Sequence, residues 1–205
     1  DSGNYKHRYT PDFSIDGVNW QTYPATKLDL NNDKSRAGFS LKVPQDKSVV
    51  IAAQPLLTSS HYATWLESLK AQHGVNVSSA GPSVDGRQLW RVTSPAKKHT
   101  LLLLGRQHPP ETTGALALIS FVERLFEDDA LATRFHDQVG ILLYPLINPD
   151  GVDKGLWRHN VGGKDLNREW GRFSQPENRI IDSDVSKWLE TVSYTHLTLP
   201  TIRSV

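Results

Sequence analysis

The stretch TLLLLGRQHPPETTGALALISFVERLFE, residues 100–127, decides the fold class. It opens on a strand, 100–104, whose four leucines form a strand-sized apolar run, and passes through a short proline-containing turn into a helix over about 112–127. Upstream, Val49-Val50-Ile51-Ala52-Ala53 reads as a buried strand. Ser59 or Ser60 can then cap a helix with Tyr62, Trp65, Leu66 and Leu69 at i, i+3, i+4 and i+7, and Gly74 is placed to end it. Asp85-Gly86 makes a turn into a strand at 88–92. Downstream, 141–146 is a further strand, and Ser174-Gln175-Pro176-Glu177 reads as a capping box opening a helix that carries Ile181, Val185 and Trp188 on one face. Strands alternating with helices predict an α/β domain, with a mixed, mostly parallel sheet and helices on both faces. In such sheets ligands bind at the carboxyl ends of the strands.

The residues before this region have another character. Up to about Lys47 the chain is rich in turn residues and short alternating segments, such as Ser14-Ile15-Asp16-Gly17-Val18-Asn19-Trp20 and Gly38-Phe39-Ser40-Leu41-Lys42-Val43-Pro44. We therefore expect a small, partial β-rich domain at 1–48 and the α/β domain at 49–192.

Composition narrows the partners. Hydrophobic residues make up 38% and charged residues 22% of the 205 residues, enough for a real core. The 23 basic and 22 acidic residues nearly cancel, and no basic block interrupts the chain, so nothing in the charge pattern suggests nucleic acid as a partner. No apolar run approaches the roughly 20 residues of a membrane-spanning helix. There is no cysteine, which excludes disulfides and thiolate metal sites.

Three motifs carry chemistry. In Gly105-Arg106-Gln107-His108-Pro109-Pro110-Glu111, an imidazole and a carboxylate three residues apart in a strand-to-helix turn can converge on one point, and zinc accepts both ligand types. On its own the pair also reads as a surface histidine and a helix-start glutamate favoured by the helix dipole. Asn148-Pro149-Asp150-Gly151 follows the 141–146 strand and by itself is a good turn. The third motif joins Trp157-Arg158-His159-Asn160 to Gly163-Lys164-Asp165-Leu166-Asn167-Arg168-Glu169-Trp170. Its arginines offer planar forks of donors that match a carboxylate, and an asparagine adds a neutral donor beside them.

In this order, the three motifs resemble the zinc metallocarboxypeptidase family, and are most similar to its cytosolic-carboxypeptidase-like branch, over about residues 54–189. The resemblance implies a partial carboxypeptidase fold preceded by a β-rich domain, and an enzyme that removes C-terminal amino acids from peptides or proteins with Zn2+ as cofactor. It implies His108 and Glu111 as zinc ligands, Arg158 as the group polarising the scissile carbonyl, and Asn167 and Arg168 as the clamp on the substrate's terminal carboxylate. Pro110 stands where that branch usually has glycine. The family also needs a later histidine as third ligand and a glutamate as general base. His196 follows a short β-prone run but lacks a preceding aspartate. Residues 193–205 share no motif with the family and look like a translated sequencing-adapter artefact, so we read them as a non-native tail. The chain is accordingly expected to be incomplete and inactive as it stands. Two alternatives share parts of the pattern: an aspartoacylase- or desuccinylase-like zinc amidohydrolase, and a non-catalytic module that binds carboxylates.

Overall fold

The structure, a computed structural model, describes residues 10–17, 19–32 and 36–190. The chain divides into two compact units, Asp1–Leu56 and Leu57–Val205. The expected tail at 193–205, His196 included, lies outside the described residues.

The first unit is β-rich. Strands β1 (Asp12–Ser14) and β2 (Gln21–Thr22) pair antiparallel across the Asp16-Gly17 turn, where Gly17 takes φ +76° and its N–H donates to the buried Ser14 Oγ at 2.9 Å. Strands β3 (Asp29–Leu30) and β4 (Ala37–Gly38) form a separate pair, so the alternating run at 38–44 is a strand only at its start. Strand β5 (Val50–Ala52) corrects an expectation. It is not a buried strand of the α/β sheet but pairs antiparallel with β1, leaving Val50 and Ile51 exposed. A short apolar run specifies a strand but not the sheet it joins.

The second unit holds helix α1 (Ser59–His73), strands β6 (Asn76–Pro82), β7 (Gln88–Thr93) and β8 (His99–Leu104), helices α2 (Thr112–Leu125) and α3 (Ala130–Gln138), strand β9 (Val139–Tyr144), and helices α4 (Pro149–Asp153) and α5 (Pro176–Glu190). The N-cap of α1 is Thr58, one residue before the expected serines, and Gly74 ends the helix in the left-handed region at φ +63°.

The sheet order is β6-β7-β9-β8. It is mixed as expected, but parallel pairing is confined to β8 and β9, while β6/β7 and β7/β9 are antiparallel. The reason is the length of the connections. The Asp85-Gly86 turn is too short for a crossover, whereas α2 and α3 together provide one between β8 and β9.

Helices cover both faces. Leu103, Ile141 and Leu143 face Leu66 and Leu69 of α1 and Val122 of α2. The alternate residues Leu102, Leu142 and Tyr144 face Ile181, Val185 and Trp188 of α5. This alternation explains why β8 is apolar from Leu101 to Leu104: both of its faces are inside there.

At the end of β8, Gly105 donates its N–H to the Tyr144 carbonyl at 2.8 Å and accepts from Ile147 N at 3.0 Å. A Cβ there would lie 2.5 Å from the Pro145 carbonyl oxygen and 2.6 Å from Leu118 Cδ2. Backbone on one side and a packed helix on the other leave no room to yield. Gly105→Ala is therefore expected to destabilise the fold by about 1–3 kcal/mol, read as a lower urea midpoint at unchanged slope.

Two buried carboxylates brace the β6–β7 hairpin. Asp150, fully buried, accepts from Ser83 Oγ and Arg87 Nη1 at 2.9 Å each and from Asp85 N at 2.9 Å. Glu177, also fully buried, accepts from Val84 N at 3.3 Å and Asn160 Nδ2 at 3.2 Å. The expected capping box is therefore not closed: Ser174 Oγ donates instead to Glu169 at 2.5 Å. Burial raises the Glu177 carboxyl; these hydrogen bonds oppose the shift, and the neighbouring Asp150 charge adds to it. The folded state thus holds this proton at a pH where the unfolded chain, with a glutamate pKa near about 4.3, has lost it. Stability tied to Glu177 is full below that value and falls as pH rises through the raised one. The stability of the protein relative to Glu177→Gln should accordingly increase when urea melts are moved from neutral pH toward about pH 4. A difference independent of pH would contradict this.

Candidate metal centre and carboxylate clamp

The His-x-x-Glu turn is shaped by Arg106, which sits in the left-handed region at φ +50°. Its buried guanidinium turns back and donates through Nε and Nη2 to the Pro109 carbonyl, at 2.8 and 2.6 Å. Glu111 N donates to the His108 carbonyl at 3.3 Å and Thr112 N to the Pro110 carbonyl at 2.8 Å, closing the loop into the start of α2. This folding brings His108 Nδ1 to 2.7 Å from Glu111 Oε1.

The other ring nitrogen, Nε2, donates to Asp165 Oδ1 at 2.9 Å. Since Asp165 can only accept, Nε2 carries a proton, and Nδ1 is the nitrogen that faces Glu111. An imidazole nitrogen and a carboxylate oxygen 2.7 Å apart hold either a proton or a cation between them. An imidazole nitrogen with a carboxylate oxygen suits zinc as two of its ligands. Among the described residues no three His, Asp or Glu side chains are grouped to hold a metal.

Asp165 joins the remaining candidates. Its Oδ2 accepts from Arg158 Nε at 2.7 Å, Arg168 Nε lies 3.4 Å away, and its Oδ1 also accepts from Asn167 N at 3.1 Å, capping the 3-10 turn Leu166–Arg168. Burial pushes the Asp165 carboxyl up, but the hydrogen bonds from His108 and Arg158 outweigh it and hold the group below the ordinary carboxylate range. Asn167 Oδ1 in turn meets Gln107 Nε2 at 3.4 Å. The structure therefore brings His108, Glu111, Arg158, Asn167 and Arg168 into one locality, just past the carboxyl ends of β8 and β9. Asp165 and Gln107, which hold them together, were not among the residues singled out from sequence. Asp165 lies inside the Gly163–Trp170 motif, but its main partner is 57 residues away.

Asn148-Pro149-Asp150-Gly151 is more than a turn. It opens α4, with Asn148 Oδ1 accepting from Gly151 N at 3.0 Å. Asn148 Nδ2 donates to the Gln107 carbonyl at 3.1 Å and the His159 carbonyl at 3.3 Å. One buried amide thus ties the His108 loop to the Arg158 loop. Among the described residues no helix is long and apolar enough to cross a membrane.

Comparison with known proteins places the chain in a family. Residues 62–188 match the family model described as zinc carboxypeptidase. The chain is 34% identical over 79 residues to cytosolic carboxypeptidase 2 of Xenopus tropicalis, covering 38% of this chain and 8% of that relative. Among solved structures it resembles the metallo-carboxypeptidase of Burkholderia cenocepacia, with TM-score 0.71 and 25% identity over 91% of this chain and 50% of that one. It also resembles the metallo-carboxypeptidase of Pseudomonas aeruginosa in complex with (2-guanidinoethylmercapto)succinic acid, with TM-score 0.70 and 26% identity over 90% of this chain and 49% of that one. The chain thus spans about half the length of these solved relatives and a small part of the curated one. The matched region runs from within α1 to within α5, and the chain belongs to the zinc carboxypeptidase family.

Proposed function

We propose that this chain supplies the zinc-binding loop and the carboxylate clamp of a metallocarboxypeptidase that removes C-terminal amino acids from peptides or proteins. The observation that supports this reading is the convergence of His108, Arg158 and Arg168 on the single carboxylate of Asp165, with Glu111 on the other ring nitrogen of His108. His108 Nδ1 and Glu111 would hold the metal, and Asp165 would orient the imidazole. When bound, zinc supplies Lewis acidity and a water of lowered pKa. Arg158 donates to the scissile carbonyl oxygen, most strongly when negative charge gathers there. Arg168 and Asn167 take the terminal carboxylate, so that only a chain end fits. Arg168 suits the task because its side chain is 76% exposed and can turn toward a ligand. The succinic acid derivative held by the Pseudomonas relative is itself a dicarboxylate, the chemistry such a clamp would accept. The amidohydrolase alternative is not favoured, since the family matched is that of carboxypeptidases.

We further propose that residues 1–205 alone do not turn peptides over. A catalytic zinc site takes three protein ligands, and the described residues offer two. A missing general base would remove a further factor on the order of 10²–10⁴. The test is to incubate the chain with zinc and a peptide pair alike except for a free or amidated C-terminus. The chain should bind the free acid preferentially without releasing its last residue. Equal binding of both peptides would sink the clamp, and chelator-sensitive release would sink the claim of inactivity.

A further inference from the structure

We infer that Trp170 and Gln107 set the direction of the Asn167 amide, and so make the clamp selective for a carboxylate over a carboxamide. The inference rests on the reading of Asn167 as a clamp residue. A primary amide is nearly symmetric in shape but opposite in polarity at its two ends, and without fixed partners either orientation serves. Here a donor-only group starts the chain. The Trp170 indole N–H can only donate, and it reaches Gln107 Oε1 at 2.7 Å. Gln107 Oε1 is thereby committed, and Nε2 is the end that faces Asn167. Nε2 lies 3.4 Å from Asn167 Oδ1 and donates to it. The Asn167 oxygen is committed in turn, which leaves its Nδ2 as the end presented to a ligand.

That polarity matters because a carboxylate only accepts. With Nδ2 outward, Asn167 donates to it; turned around, Asn167 would place a carbonyl oxygen against it. A carboxamide terminus, having both a donor and an acceptor, can adapt to either orientation. The relay is anchored at both ends. The Gln107 carbonyl accepts from Asn148 Nδ2 at 3.1 Å, and the Trp170 ring packs edge-on against Phe173 at 6.5 Å. Gln107 and Trp170 are positioning residues here: neither needs to touch the substrate.

The experiment uses the 205-residue chain, ¹⁵N-labelled, and the free-acid and carboxamide forms of one peptide. Gln107→Glu puts an acceptor where Nε2 donates and should turn the Asn167 amide around. It should lower the free-acid preference by about tenfold, the scale of one charge-assisted hydrogen bond. Trp170→Phe should lower it less, and Gln107→Glu should add nothing in an Asn167→Ala background. The melting temperature of each variant is measured alongside. A preference that survives Gln107→Glu and Trp170→Phe but falls with Asn167→Ala overturns the relay while leaving the clamp intact. A preference untouched by Asn167→Ala and Arg168→Gln overturns the clamp and the relay with it. Where peptide binding is too weak to titrate, the spectra decide. In Gln107→Ala the Trp170 indole proton should lose protection from exchange and the Asn167 side-chain amide pair should shift. Unmoved Asn167 signals overturn the proposal.

Discussion

Replacing His108 by alanine is expected to lower the zinc affinity of this chain by about a hundred- to a thousandfold. The figure follows from the apparent binding free energy of structural zinc sites, about 10–16 kcal/mol shared among four ligands, or about 2.5–4 kcal/mol for each. His108 has a second contact beside the proposed metal site. Its Nε2–H occupies Asp165 Oδ1 at 2.9 Å, so alanine removes one donor from the carboxylate whose Oδ2 holds Arg158. The stability effect should be smaller than the metal effect, because Glu111 and Arg158 are both about half exposed and can rehydrate. Competition for zinc against a chromogenic chelator measures the affinity, and a urea melt of the same samples checks the fold. Equal zinc affinity in the two folded proteins would remove His108 from the metal site. In a protein with the full family site, the same substitution should abolish chelator-sensitive release of C-terminal residues.

Parts of this arrangement were legible in the sequence because local rules governed them. Tyr62, Leu66 and Leu69 recur at helical spacing, and Gly74 ends that helix because it reaches the left-handed region without strain. Leu101 to Leu104 read as strand for a related reason: a strand with both faces inside needs no polar alternation. Where distant partners competed, local reading failed. Glu177 had the spacing of a capping-box acid for Ser174, yet its carboxylate is taken by Val84 N and Asn160, while Ser174 is taken by Glu169. Helix α3 went unread because its start depends on one cap, Asp129, which accepts from Leu131 N and Ala132 N, rather than on a long apolar stripe. The mostly parallel sheet was inferred from alternating elements, but a turn as short as that between β6 and β7 admits only antiparallel pairing. For the candidate site, the spacing of the motifs pointed to His108, Glu111, Arg158 and Arg168, and these side chains do lie near one another. Asp165 and Gln107 were missed because nothing in an aspartate or glutamine announces which side chains, 57 or 60 positions away, will meet it.

Asp165→Asn carries the second large expectation, and it tests that hidden part directly. The two carboxylate oxygens face three well-formed donors, His108 Nε2–H, Asn167 N–H and Arg158 Nε–H, with Arg168 Nε a fourth at 3.4 Å. Asparagine keeps the shape but offers one acceptor and one donor. Its Nδ2 must face either His108 and Asn167 or Arg158, setting N–H against N–H. The strongest demand comes from the two donors on Oδ1, so the amide oxygen should stay there and Arg158 should be released. His108 then keeps a hydrogen bond to a neutral oxygen in place of a charged one, which makes Nδ1 a weaker ligand. Loss of such an orienting carboxylate typically costs ten- to a hundredfold in metal affinity, so a fall of about that size is expected. Asp165→Ala, which leaves His108 without an acceptor, should fall at least as far. The accompanying loss of stability should be modest, about 1–2 kcal/mol, because Asp165 is largely buried but its arginine partner is 44% exposed and screened by water. Cobalt substitution reads the outcome without any turnover: a weaker and shifted visible absorption band marks an imidazole no longer held in place. If Asp165→Asn binds zinc as tightly as the parent while its urea midpoint falls, Asp165 is a brace for the two arginines and plays no part in aiming His108.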